Sequence, residues 1–136
     1  MLTGCKEAAQ PQQRTFDYSS QGPEVTLEET GIQSSRNAVH ADFNADGLDD
    51  YAIIDQDGDG RQVTIYIRKN VPDAPESDPI YYQAGHIRRS LDGNVIGLMS
   101  RRGSQYTDLI VLVAREGHPN AMIHYRNDGS SFTEVQ

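Results

Sequence analysis

The chain contains no tryptophan and a single cysteine, Cys5, and none of its apolar runs approaches the roughly 20 residues that a membrane-spanning helix needs. One cysteine excludes an internal disulfide. Basic residues are also scarce: 12 Lys and Arg stand against 20 Asp and Glu, a net charge of −8. Neutralising nucleic-acid phosphates takes clustered Lys and Arg, so the charge balance argues against a nucleic-acid partner. The histidines His40, His86, His118 and His124 form no HxH or HxxxH pair, which argues against a zinc centre. Neither a G-x-S-x-G elbow nor a phosphate-cradling glycine loop occurs, and Cys5 has no neighbouring base to activate it. The chain is therefore not expected to be an enzyme.

At 136 residues the chain is long enough for one domain with a real core, but an apolar fraction of 36% keeps that core modest. Seven tyrosines against three phenylalanines suit half-buried sheet faces better than a deep helical interior. From about Gly22 onward, short apolar runs alternate with turn signals, and no helical period of useful length appears. Strands are expected at Val25–Glu29, Asn37–Ala41, Tyr51–Asp55, Gln62–Arg68, Pro79–Ala84, Asn94–Met99, Asp108–Ala114, Ala121–Arg126 and Ser131–Val135. Turns fall at Asp59-Gly60, Asp92-Gly93, Gly117-His118-Pro119 and Asp128-Gly129, where glycine supplies the positive φ that tight turns demand. The proline-rich, acidic stretch Pro72–Pro79 reads as an exposed loop.

Sliding the chain by 58 residues, Asp50 onto Asp108, superposes two segments without a gap. Asp50-Tyr51-Ala52-Ile53-Ile54 falls on Asp108-Leu109-Ile110-Val111-Leu112, and Thr64–Asn70 falls on Met122–Asp128. Alternation alone generates part of this match, but the run of strand, turn and strand ending in arginine points to a duplicated unit of about four strands. The expected fold is all-β, with antiparallel strands in two related four-stranded units, about 37–84 and 94–135, within one domain over 22–136. Two such units cannot close a propeller, so an open sheet or a sandwich is expected, or completion by self-association, since exposed edges invite pairing.

Seven aspartates crowd into Ala41–Gly60, directly against the apolar run Tyr51–Ile54. Counting from Asp42 as position one, Asn44 is at 3, Asp46 at 5, Gly47 at 6, Leu48 at 7 and Asp50 at 9. Oxygen side chains at 1, 3 and 5 of a tight loop converge on one point, glycine at 6 permits the sharp turn, and the carbonyl at 7 points inward. A hard cation with six to eight oxygen ligands and tolerant geometry fits such a loop, calcium better than magnesium. A solvated acidic turn without an ion is the alternative.

A helical EF-hand would carry a bidentate glutamate at position 12, where this chain has Ile53, and a strand follows the loop rather than a helix. The pattern D-x-N-x-D-G-x-x-D running straight into a strand resembles the FG-GAP/VCBS repeat family, over Asn37 to about Gln83. That resemblance implies calcium held by the side chains of Asp42, Asn44, Asp46 and Asp50 and the carbonyl of Leu48, with Asp49 turned to solvent. The adjacent Asp55, Asp57 and Asp59 begin in the same way, but their ninth position is Val63, so only a weak second ion site is expected there. In the second unit Ser100, Arg102 and Ser104 replace the first three ligands and only Asp108 survives; Arg101 and Arg102 are expected as surface arginines, the alternative being that one of them pairs with Asp108.

The N-terminal Leu2-Thr3-Gly4-Cys5 resembles the lipobox of bacterial lipoproteins. The resemblance implies lipidation of Cys5 and a place in the bacterial cell envelope, periplasmic or outer-membrane. Residues 1–21, a lipobox remnant followed by a Gln-, Ala- and Pro-rich stretch, are expected to be a disordered tether. Membrane contact would run only through that lipid, and the chain as it stands is expected to be soluble. Both resemblances together imply a non-catalytic calcium-binding lipoprotein that displays a protein- or carbohydrate-recognition surface. The rival readings are an accessory subunit or inhibitor of an envelope enzyme and a small metal-dependent hydrolase.

Overall fold

Apolar side chains two residues apart, on runs rich in Val, Ile and Tyr, give strands in which one face can be buried at a time. The computed structural model describes residues 15–19, 22–35, 37–57, 60–72, 78–88 and 94–135. Those residues form ten strands: β1 Thr15–Asp17, β2 Glu24–Thr26, β3 Ala38–Ala41, β4 Asp50–Asp57, β5 Gly60–Arg68, β6 Ile80–Arg88, β7 Asn94–Arg102, β8 Thr107–Ala114, β9 Ala121–Asn127 and β10 Ser131–Glu134. A one-turn helix, α1 Leu27–Thr30, and a 3-10 turn at Ile32–Ser34 follow β2. Cys5, Asp59, the centre of the Pro72–Pro79 loop and the Asp92-Gly93 turn lie outside the described residues.

The strands make two antiparallel five-stranded sheets, ordered β2-β6-β5-β4-β3 and β1-β10-β9-β8-β7, closed into neither barrel nor propeller. Each is a four-stranded meander, β3 to β6 or β7 to β10, with one earlier strand added beside its last member. The two units expected from the 58-residue shift are these two meanders.

One core lies between the sheets. Ala52, Val63, Ile65 and Ile67 of the first sheet meet Leu109, Val111, Val113, Tyr125 and Phe132 of the second, and all are buried. The opposite face of the first sheet is buried as well: Ile53, Tyr66 and Tyr81 pack with Ile32 of the 3-10 turn, beside Val25 and Leu27. Among the described residues the outer face of the second sheet has no such cluster: Ile110 is buried there, but Met99 and Met122 are 45% and 64% exposed. Among the described residues no helix is long and apolar enough to cross a membrane.

Two details differ from the sequence expectation. The strand expected over Val25–Glu29 stops at Thr26, because Thr26 caps a helix: its hydroxyl accepts from the Glu29 amide while the Glu29 carboxylate accepts from the Thr26 amide. Gly31, in the left-handed conformation at φ 75°, ends that helix. The sheet also begins earlier than Gly22, within the stretch expected as tether. There β1 pairs with β10, Phe16 opposite Phe132, and Tyr18 beyond it is buried in the core.

Candidate metal centre

The loop between β3 and β4 is shaped by its own aspartates. The Asp42 carboxylate accepts the amides of Asp46 (3.0 Å) and Gly47 (2.7 Å), and Asp46 accepts the amide of Leu48 (2.9 Å). These bonds curl the chain about its acidic side chains, with Ala45 at φ 58° and Gly47 at φ 88°. A non-glycine residue in the left-handed region is uncommon, and Ala45 is held there by the turn that its neighbours close.

Asp50, the first residue of β4, is fully buried and roofs the loop from the sheet side. Its two carboxylate oxygens accept the backbone amides of Phe43 (2.9 Å) and Arg68 (2.8 Å), joining loop, β4 and the end of β5. Burial pushes its pKa up to about 7; the two amides oppose the rise, and the Asp46 and Asp42 carboxylates add to it.

Carboxylate oxygens of Asp42, Asp46 and Asp50 lie within 4.8 Å of one another. Asn44, between them in sequence, has a buried side-chain oxygen without a hydrogen-bond partner. Three converging carboxylates form an all-oxygen cluster, which suits a hard cation and not zinc or copper, and the same loop leaves an amide oxygen unpaired. The half-buried Leu48 sits one residue after Gly47, and exposed Asp49 stands 3.8 Å from His40 at the surface. The donor set and the orphaned oxygen fit a cation at this position.

Residues beyond the loop fix it to the second sheet. The Phe43 carbonyl accepts two bonds, from the Tyr18 hydroxyl (3.0 Å) and from Asn127 Nδ2 (2.8 Å). Asn127 Nδ2 also donates to Thr107, and its Oδ1 accepts from Gly129 and shares the single Tyr18 hydroxyl proton with the Phe43 carbonyl, so every polar atom of this buried amide is in use. The Phe43 ring lies fully buried edge-on to Phe132, 5.3 Å between centroids. Sequence reasoning missed Tyr18, Phe43 and Asn127; only Phe43, the one aromatic residue of an acidic loop, hinted at an anchor.

Asp55 of the expected weak second site accepts the buried Thr64 hydroxyl at 3.3 Å. Asp57 closes β4 opposite Gly60, and with Asp59 outside the described residues the three are not seen brought together. In the second unit Asp108, the second residue of β8, is also buried and also accepts a backbone amide near the end of the next strand, that of Asn127 at 2.9 Å. Its other oxygen meets His124 Nε2 at 2.8 Å. Arg101 and Arg102 are exposed, as surface arginines would be, and the partner of Asp108 is instead a β-strand neighbour on the same face.

No family model, curated protein or solved structure matches this chain.

Proposed function

We propose that this chain is a non-catalytic calcium-binding protein of the bacterial cell envelope, in which the ion has a structural role and Cys5 carries the lipid anchor. The observation that carries the metal reading is the convergence of Asp42, Asp46 and Asp50 around a loop whose Asn44 oxygen is buried and unpaired. The side chains of Asp42, Asn44, Asp46 and Asp50 and the Leu48 carbonyl would hold the ion. A bound calcium would supply the positive charge that this acidic loop lacks. The likeness of the loop and its following strand to FG-GAP/VCBS repeats supports calcium in particular, and the lipobox-like Leu2–Cys5 supports the envelope.

Phe43 transmits the effect of occupancy. Its amide bonds Asp50, its carbonyl bonds Tyr18 and Asn127, and its ring fills the core, so ordering the loop orders the contact between the sheets. Metal binding and folding are then linked. The test is thermal unfolding with calcium, with magnesium and with chelator, on the parent and on Asp46→Ala, whose exposed side chain can be removed without opening the core. Calcium at a hundredfold excess over its dissociation constant should add about 2.7 kcal/mol. A calcium-selective rise in melting temperature, absent from Asp46→Ala, is the expected result; identical melting in all conditions would reduce the loop to a solvated turn.

A further inference from the structure

The outer face of the second sheet gathers donors of a different kind from those of the aspartate loop. Met99 of β7 and His124 of β9 both pair with Ile110 of β8, one from each side. Met122 of β9 pairs with Leu112, one step further along the same face. Strand alternation sends all five side chains away from the core, which takes Leu109, Val111 and Val113 of β8 instead. Both thioethers are exposed, and the His124 side chain is 30% exposed.

His124 is the fixed member of the group. Its Nε2 lies 2.8 Å from one oxygen of the buried Asp108, whose other oxygen accepts the Asn127 amide. A carboxylate accepts, so Nε2 carries the hydrogen and the lone pair of the neutral ring is left on Nδ1. Nδ1 has no hydrogen-bond partner among the described residues. An imidazole tied to a carboxylate through one nitrogen is held as a metal ligand through the other. Met122, two residues earlier on the same strand, starts about 6.6 Å from His124 along β9, and Met99 starts about 10 Å away across β8. Methionine is unbranched and turns about three bonds, so both sulfurs can swing over Ile110 toward Nδ1.

This donor set selects an ion class. Two thioether sulfurs and an imidazole nitrogen are soft, neutral donors, which favour Cu(I) over hard ions such as calcium. The neighbouring charges point the same way. Arg101, opposite Asp108, and Arg126, opposite Thr133, are exposed on this face, and both oxygens of Asp108 are already engaged. A divalent ion would meet two guanidinium groups with no open carboxylate to offset them, and a monovalent ion carries half that charge. We propose that Met99, Met122 and His124 form a site for a soft monovalent metal ion of the Cu(I) class. The site shares no residue with the aspartate loop and stands whether or not that loop holds calcium.

The test is a titration with silver(I), a redox-stable probe of soft monovalent sites, followed by NMR of the methionine methyl groups and imidazole nitrogens. It uses the full chain carrying Cys5→Ser, which removes the one thiol that would capture the ion. Silver should shift the Met99 and Met122 methyl signals and His124 Nδ1 saturably at one equivalent, leave Met1 unmoved, and do so equally in excess calcium. Met99→Leu and Met122→Leu, both at exposed positions, should each weaken binding tenfold or more at an unchanged melting temperature. Anaerobic competition for Cu(I) against a chromogenic chelator should rank the parent above each single variant and the double variant last. Silver that binds the double variant as tightly as the parent overturns the site. So does saturation that moves Met1 in place of Met99 and Met122, or a parent protein that takes up neither ion.

Discussion

Asp50 carries the greatest electrostatic load of any single residue in the loop. Its pKa, raised from 3.8 to about 7 by burial, means that the metal-free folded state keeps a proton that the unfolded chain has released. The sign follows from linkage: a carboxyl with a raised folded-state pKa contributes stability that is lost as pH rises through that value. In chelator, stability should therefore fall as pH climbs from 3.8 toward about 7, and the fall should be shallower in Asp50→Asn, which has no proton to lose there. With calcium in excess the fall should disappear, and calcium affinity should itself rise across the same interval, because the ion and the proton compete. Melting curves against pH, with and without calcium, check both. Asp50→Asn should also lose about 1–3 kcal/mol in urea titration, since one amide oxygen cannot replace two carboxylate oxygens that each accept a backbone N–H. The convergence of Asp42, Asp46 and Asp50 was legible in the sequence because side chains at short fixed offsets in a tight loop meet at one point. The role of Asn127 was not, since its partners Phe43 and Tyr18 come from distant parts of the chain.

Elements show the same division between local and distant information. The strands of the two meanders could be read because apolar alternation is local, and their ends fall within a few residues of expectation. β1 could not: three residues give too short a pattern, and its place depends on β10, paired across most of the chain. The Thr26-to-Glu29 capping box was readable, but alternation through Val25 suggested a longer strand. Where elements touch, small residues decide. Gly85, at φ 144° near the register shift between β5 and β6, lies under the Phe16 ring, and an added Cβ would come within 2.7 Å of it. Gly85→Ala should cost about 1–3 kcal/mol through strain and the displaced ring, and Phe16→Ala in the same background should recover part of that loss, as a double-mutant cycle would show. Asn127→Ala should cost roughly 1–3 kcal/mol for each buried group it leaves unpaired. It should also weaken calcium binding although Asn127 is not a ligand, because it holds the Phe43 carbonyl in place; calorimetric calcium titration of the folded variant separates this from general loss of stability.

On the scale of the whole molecule, the two sheets are alike in strand order and unlike in cover. The first has an apolar cluster on each face, whereas among the described residues the outer face of the second leaves Met99 and Met122 exposed. Ile53→Ala, beneath the α1 and 3-10 cover, should cost about 2–5 kcal/mol, whereas Met122→Lys on the open face should stay within about 0.5 kcal/mol; parallel urea titrations measure the contrast. The pairing of β1 with β10 brings another property. Thr15, at the start of β1, faces Thr133, near the end of β10, so a force applied at the two ends of the fold pulls directly on that first pair. Antiparallel neighbours loaded in this way open one pair at a time, like a zipper, rather than sliding past each other with all their hydrogen bonds strained together. Tension should therefore peel β1 away at low force, leaving the loop of aspartates and its clamp on Phe43 to bear whatever load follows.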